Sequence, residues 1–131
     1  MTPSPASDVP VSDAHRRAGI AAHTADEKKG EEIVVLDVGE ILSIAEAFVF
    51  VSAPNTRLVR TIVDEIELAL KLTDDESPRS VEGLDDSTWV LMDYGDVIVH
   101  VFLSETRDFY DLDRLWADAP RVEWSSLPAL T

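Results

Sequence analysis

Apolar residues first recur at helical spacing. Ala14, Ala18, Ala21, Ala22 and Ala25 fall on one face of a predicted helix, after a cap at Ser12 or Asp13. Lys28 and Lys29 suit its last turn and Gly30 supplies a stop. The stripe is narrow, so this helix is expected to pack closely but weakly. The period then changes. Glu31 to Val38 contains the continuous run Ile33-Val34-Val35-Leu36, and Phe48-Val49-Phe50-Val51 is a second such run, ended by Ser52-Ala53-Pro54. Continuous runs suit strands buried on both faces, and proline stops pairing. Asn55 or Thr56 caps the clearest helix, reaching to about Leu72, with Val59, Ile62, Val63, Ile66 and Leu70 inward.

Residues 74–78 read as a solvated loop and 79–82 as a short edge strand. Trp89–Met92 and Val97–Leu103 form two strands around Asp93-Tyr94-Gly95-Asp96, where Gly95 permits the positive φ of a tight turn. Val97, Val99, Val101 and Leu103 face one way, and Ile98, His100 and Phe102 the other. A third helix is predicted from about Glu105 to Trp116, ending before Pro120. The three prolines in residues 1–11 mark a disordered tail, residues 12–120 one domain, and 121–131 a loose end. This order predicts an α/β fold: a mixed sheet of about five strands with helices packed on it.

Composition narrows the function classes. The 131 residues carry a net charge of −15 and no cysteine. Residues 1–30 balance, whereas residues 31–131 hold 7 basic against 22 acidic side chains. Such a domain is repelled by phosphate backbones and steered toward basic protein surfaces, so little direct nucleic-acid binding is expected. Thiolate chemistry and disulfides are excluded. No apolar run approaches the roughly 20 residues of a membrane span. The N-terminus resembles neither a signal nor a transit peptide, so the expected location is the cytoplasm.

The chemistry-bearing residues are sparse. His15 and His23 are eight residues apart on one helix, roughly 12 Å along its axis, too far for one metal. His100 stands alone in a strand, expected as a partly buried, hydrogen-bonded histidine at a sheet surface, with a catalytic or switching role as the alternative. Asp93 and Asp96 flank a turn and form the one conceivable two-carboxylate metal site, but no phosphate-cradling glycine loop or nearby lysine accompanies them. The aromatic residues between 89 and 116 stand out more. Phe102, Phe109 and Trp116 are expected in the core. Trp89 and Tyr94, near a hairpin end, are expected at an interface, where such side chains combine apolar area with a polar handle.

Two stretches resemble a known family. Trp89-Val90-Leu91-Met92-Asp93-Tyr94-Gly95-Asp96-Val97-Ile98-Val99-His100-Val101-Phe102 looks like the signature strand pair of the ribosomal silencing factor (Iojap-like) family. The run from Arg107-Asp108-Phe109-Tyr110 to Trp116-Ala117-Asp118-Ala119-Pro120 resembles its closing helix. Val81-Glu82-Gly83 and Ser43-Ile44-Ala45 with Phe48–Ser52 are similar too. Glu46, Ala53-Pro54 and Leu58 depart from the pattern, in the segment leading into the central helix and its first turn.

The resemblance implies a nucleotidyltransferase-like topology without the catalytic residues, and a non-enzymatic role with no cofactor or metal. It implies binding to ribosomal large-subunit protein fourteen on the intersubunit face, which blocks small-subunit joining under nutrient limitation, and a homodimer when free. Trp89, Asp93, Tyr94, Asp96 and His100 are the expected contact or contact-supporting residues, with Glu105, Arg107 and Tyr110 as a second group. The alternatives are a large-subunit biogenesis or scaffold factor making the same contact, and a nucleotidyltransferase-like enzyme using Asp93 and Asp96.

Overall fold

The computed structural model describes residues 12–129; the expected tail at residues 1–11 lies outside the described residues. Helix α1 (Asp13–Glu27) is followed by strands β1 (Glu31–Asp37) and β2 (Ala47–Ala53), then by helix α2 (Thr56–Asp74). Strands β3 (Ser80–Glu82), β4 (Trp89–Asp93) and β5 (Val97–Leu103) come next. Helices α3 (Ser104–Tyr110) and α4 (Leu112–Leu115), strand β6 (Arg121–Val122) and a 3-10 turn at Trp124–Ser126 complete the order.

The six strands form one sheet in the order β3-β4-β5-β2-β1-β6, one strand more than the sequence pattern shows. The central β2–β5 pair is parallel and every other pair antiparallel. Every residue of β2 is buried, because both faces of the sheet are covered there.

Helices α1 and α2 pack on one face. The five alanines of α1 are at most 1% exposed, and their small side chains let it lie close to the sheet. Val59, Ile62, Val63, Ile66 and Leu70 of α2 meet Val49, Val51, Val90, Met92, Val97, Val99 and Val101 in the same core. The alternation in β5 follows the expectation, with Phe102 buried on the opposite face. Ser12 caps α1 by accepting from His15 N at 3.0 Å, and Asn55 caps α2 by accepting from Leu58 N at 2.8 Å.

Four expectations need correction. Helix α1 ends at Glu27, and the left-handed residue beyond it is Lys29 (φ 68), not Gly30. Gly30 is needed for space, since a Cβ there would stand 2.7 Å from Cγ1 of Val51. The single helix over 105–116 is two, broken at Asp111 in a left-handed conformation (φ 51). Residues 121–127 are not loose. Arg121 and Val122 pair with Leu36 and Val35, Trp124 meets the His23 ring edge-on at 5.1 Å, and Leu127 O lies 2.8 Å from His23 Nε2. A two-residue strand has no periodicity for a sequence pattern to show.

Asp74 is the fourth. Far from being solvated loop charge, it is held by two hydrogen bonds from Arg16, at 2.8 and 2.9 Å, with Arg17 at 3.8 Å. The end of α2 is thereby fastened to α1.

Candidate docking face

The sheet face turned away from α1 and α2 is aromatic. Register places Trp89 opposite Phe102, Leu91 opposite His100, and Asp93 opposite Ile98. On the next strand Phe48 and Phe50 lie beside Ile98 and His100. The His100 ring is 5.0 Å from both phenylalanines and stacks on Phe102 at 6.0 Å. Its Nδ1 accepts a hydrogen bond from Trp89 Nε1 at 3.2 Å. Burial lowers the His100 pKa to about 4, so the ring is neutral at physiological pH. The acceptor role of Nδ1 then places the proton on Nε2, which is buried without a partner.

Helix α3 covers part of this face, and its one buried side chain is an arginine. Arg107 is 3% exposed. Its Nη1 donates to Ser52 Oγ at 2.9 Å and to the Glu32 carbonyl at 2.5 Å, with the guanidinium 5.8 Å from the Phe50 ring centre. Glu32 sits at a bulge in β1 with φ 48. With Arg107 inward, a helix of 100° per residue turns Phe109 outward, 80% exposed, and leaves Tyr110 nearer the covered side, 53% exposed at the edge of the helix. Tyr110 contacts Trp89 with ring centres 5.3 Å apart, and Phe109 stands edge-on to Tyr110 at 5.0 Å. Thr88, Trp89, Glu105, Thr106, Phe109 and Tyr110 line an open groove of about 520 Å³. Exposed Glu82, Glu105, Asp108 and Asp111 give its surroundings an acidic character.

Two expected residues lie elsewhere. Tyr94 is not exposed at the hairpin end: it is 7% exposed and belongs to the core beneath α1 and α2. Strand alternation carries past Asp93, so the next side chain turns to the helix-covered face. Burial, then the Glu67 and Glu76 carboxylates, push its hydroxyl above the usual phenol range. Asp96 pairs with Arg17, which secures the turn to α1. Asp93 Oδ1 accepts from Gly95 N at 2.7 Å, with Gly95 at φ 91. The two carboxylates thus serve an ion pair and a turn. Among the described residues no group of three or more His, Asp or Glu side chains is placed to hold a metal ion, and no helix is long and apolar enough to cross a membrane.

A family model described as "ribosomal silencing factor during starvation" matches residues 11–130. The chain belongs to the ribosomal silencing factor family. It is 39% identical over 107 residues to ribosomal silencing factor RsfS of Bacillus subtilis, covering 79% of this chain and 87% of that one. It is 38% identical over 104 residues to RsfS of Halalkalibacterium halodurans, covering 79% and 88%. A crystal structure of a Chromobacterium violaceum protein superposes with a TM-score of 0.76 at 28% identity, covering 81% of this chain and 88% of the other.

In this family member the two motifs that carried the resemblance build one surface. The strand pair supplies Trp89 and, half-buried on the same face, Asp93; the closing run supplies Tyr110, with Glu105 just ahead of it on α3. His100 and Arg107 lie beneath as buried supports. The sequence reading missed Phe109, expected in the core but 80% exposed, and Leu115, 72% exposed. It also missed half-buried Leu91 and Ile98, although their registration with His100 and Asp93 follows from the strand alternation. Trp116, also expected inside, is half-buried and packs edge-on against Phe48 at 5.0 Å.

Proposed function

We propose that this silencing factor lowers translation by docking its β4–β5–α3 face on ribosomal large-subunit protein fourteen, where its bulk blocks joining of the small subunit under nutrient limitation. The observation that carries this reading is the groove between Trp89 and Tyr110, set among carboxylates. Paired aromatic side chains give rigid contact area at small entropic cost, and acidic surroundings favour a basic protein while repelling ribosomal RNA. A steric blocker needs a complementary patch of roughly 800 Å² and no reacting group. The protein acts in this reading without catalysis or cofactor, in the cytoplasm where ribosomes assemble, and pairs with a second copy when free.

Subunit joining is the test. Purified small and large subunits are mixed with and without the protein, and joined particles are resolved by sedimentation. Joining is expected to fall with the wild-type chain and to recover with Trp89→Ala. Large-subunit binding without loss of joining would favour the biogenesis or scaffold role instead.

A further inference from the structure

His100 occupies a space that an apolar ring would fill at lower cost. Phe48, Phe50 and Phe102 surround it, and it is 7% exposed. Its Nε2 is buried without a hydrogen-bond partner, a penalty comparable to losing a hydrogen bond. A phenylalanine would carry no such penalty. What histidine adds is Nδ1, and this atom accepts from the Trp89 indole N–H at 3.2 Å.

Trp89 needs that constraint. It is half-buried, with Phe102 at 5.1 Å and Tyr110 at 5.3 Å between ring centres. Ring contacts of this kind tolerate sliding and tilting, whereas a hydrogen bond fixes direction. Of the contacts to the indole, the bond to His100 is the directional one. It ties the ring to β5 in the middle of the sheet, while Tyr110 belongs to a helix of seven residues.

Resting on the docking reading above, we propose that His100 is a positioning residue, whose Nδ1 holds the Trp89 indole in the orientation that the large-subunit partner meets. The histidine touches no partner itself. It reduces the ordering that binding would otherwise require, because a side chain already held in one rotamer loses little freedom on association.

The test uses the full chain and purified large ribosomal subunits. His100→Phe keeps an apolar ring and removes the acceptor; His100→Leu does so in less volume should the larger ring crowd the core. His100→Asn returns an acceptor oxygen near the place of Nδ1. The indole N–H signals of the three tryptophans are recorded by NMR, with that of Trp89 identified by its loss in Trp89→Ala. His100→Phe is expected to match or exceed the wild type in thermal stability, to move the Trp89 indole signal, and to weaken large-subunit binding about threefold to tenfold. His100→Asn is expected to restore both signal and binding relative to His100→Phe.

If Trp89→Ala weakens binding while His100→Phe and His100→Leu do not, docking stands and the positioning role is overturned. Equal losses in the Asn and Phe variants with an unmoved indole signal would overturn it too, as the mark of a merely structural side chain. If Trp89→Ala itself leaves binding unchanged, the docking face is misassigned and the positioning role falls with it.

Discussion

Arg107 Nη1 donates to Ser52 Oγ at 2.9 Å in a space where the arginine is 3% and the serine 1% exposed. An arginine from a short surface helix thus reaches through the aromatic layer to the central strand. Replacing it with methionine keeps most of the apolar stem but leaves Ser52 Oγ and the Glu32 carbonyl without this donor. Hydrogen bonds to a charged group are worth about 1.5–3 kcal/mol. Arg107→Met is expected to lower unfolding free energy by about 2–3 kcal/mol in urea titrations. Large-subunit affinity should fall with it, since α3 carries Tyr110.

Asp74 gathers Arg16 and Arg17, and Arg17 continues to Asp96. Asp74 is 12% exposed at its side chain and Arg17 13%, against 32% for Arg16, so solvent screens the cluster unevenly. Asp74→Ala is expected to cost about 1–3 kcal/mol in stability, between the values for exposed and fully buried pairs. Ribosome binding should change little in the folded fraction, because the cluster lies behind the helix-covered face of the sheet. Parallel urea melts and binding titrations check both parts.

The fold was legible wherever one residue type repeated with a period. The valines of β5 and the inward residues of α2 announced their faces unaided. The site was legible only in part, for physical reasons that differ between residues. Tyr94 misled because turn position suggested exposure while strand alternation aimed it inward. Phe109 misled because an arginine holds the buried position of α3, so the aromatic residue two places on turns to solvent. Asp74 gave no local sign of its partners, which lie 58 and 57 residues away in the sequence.

His100 makes stability depend on pH. Its folded pKa is lowered from 6.5 to about 4. Below pH 6.5 the unfolded chain takes up a proton that the folded chain refuses until about pH 4. Stability from this group is therefore complete above pH 6.5 and is lost as pH falls from 6.5 toward 4. The shift corresponds to at most about 3 kcal/mol, and to about 2 kcal/mol at pH 5. Urea unfolding of wild type and His100→Phe at pH 7.5 and pH 5 isolates it. The wild type should lose about 2 kcal/mol more than the variant between the two conditions.

Cosedimentation with separated ribosomal subunits probes the docking account most directly. Wild type, Trp89→Ala and Tyr110→Ala are each mixed with purified large or small subunits, at low and at moderate salt. The wild type is expected to travel with the large subunit and not the small one, more weakly as salt rises, and both variants to bind at least about fivefold less tightly, in line with aromatic anchors worth more than 1 kcal/mol each. Wild-type protein that stays at the top of the gradient with the large subunit present, or variants that bind as well as the wild type, would contradict the account.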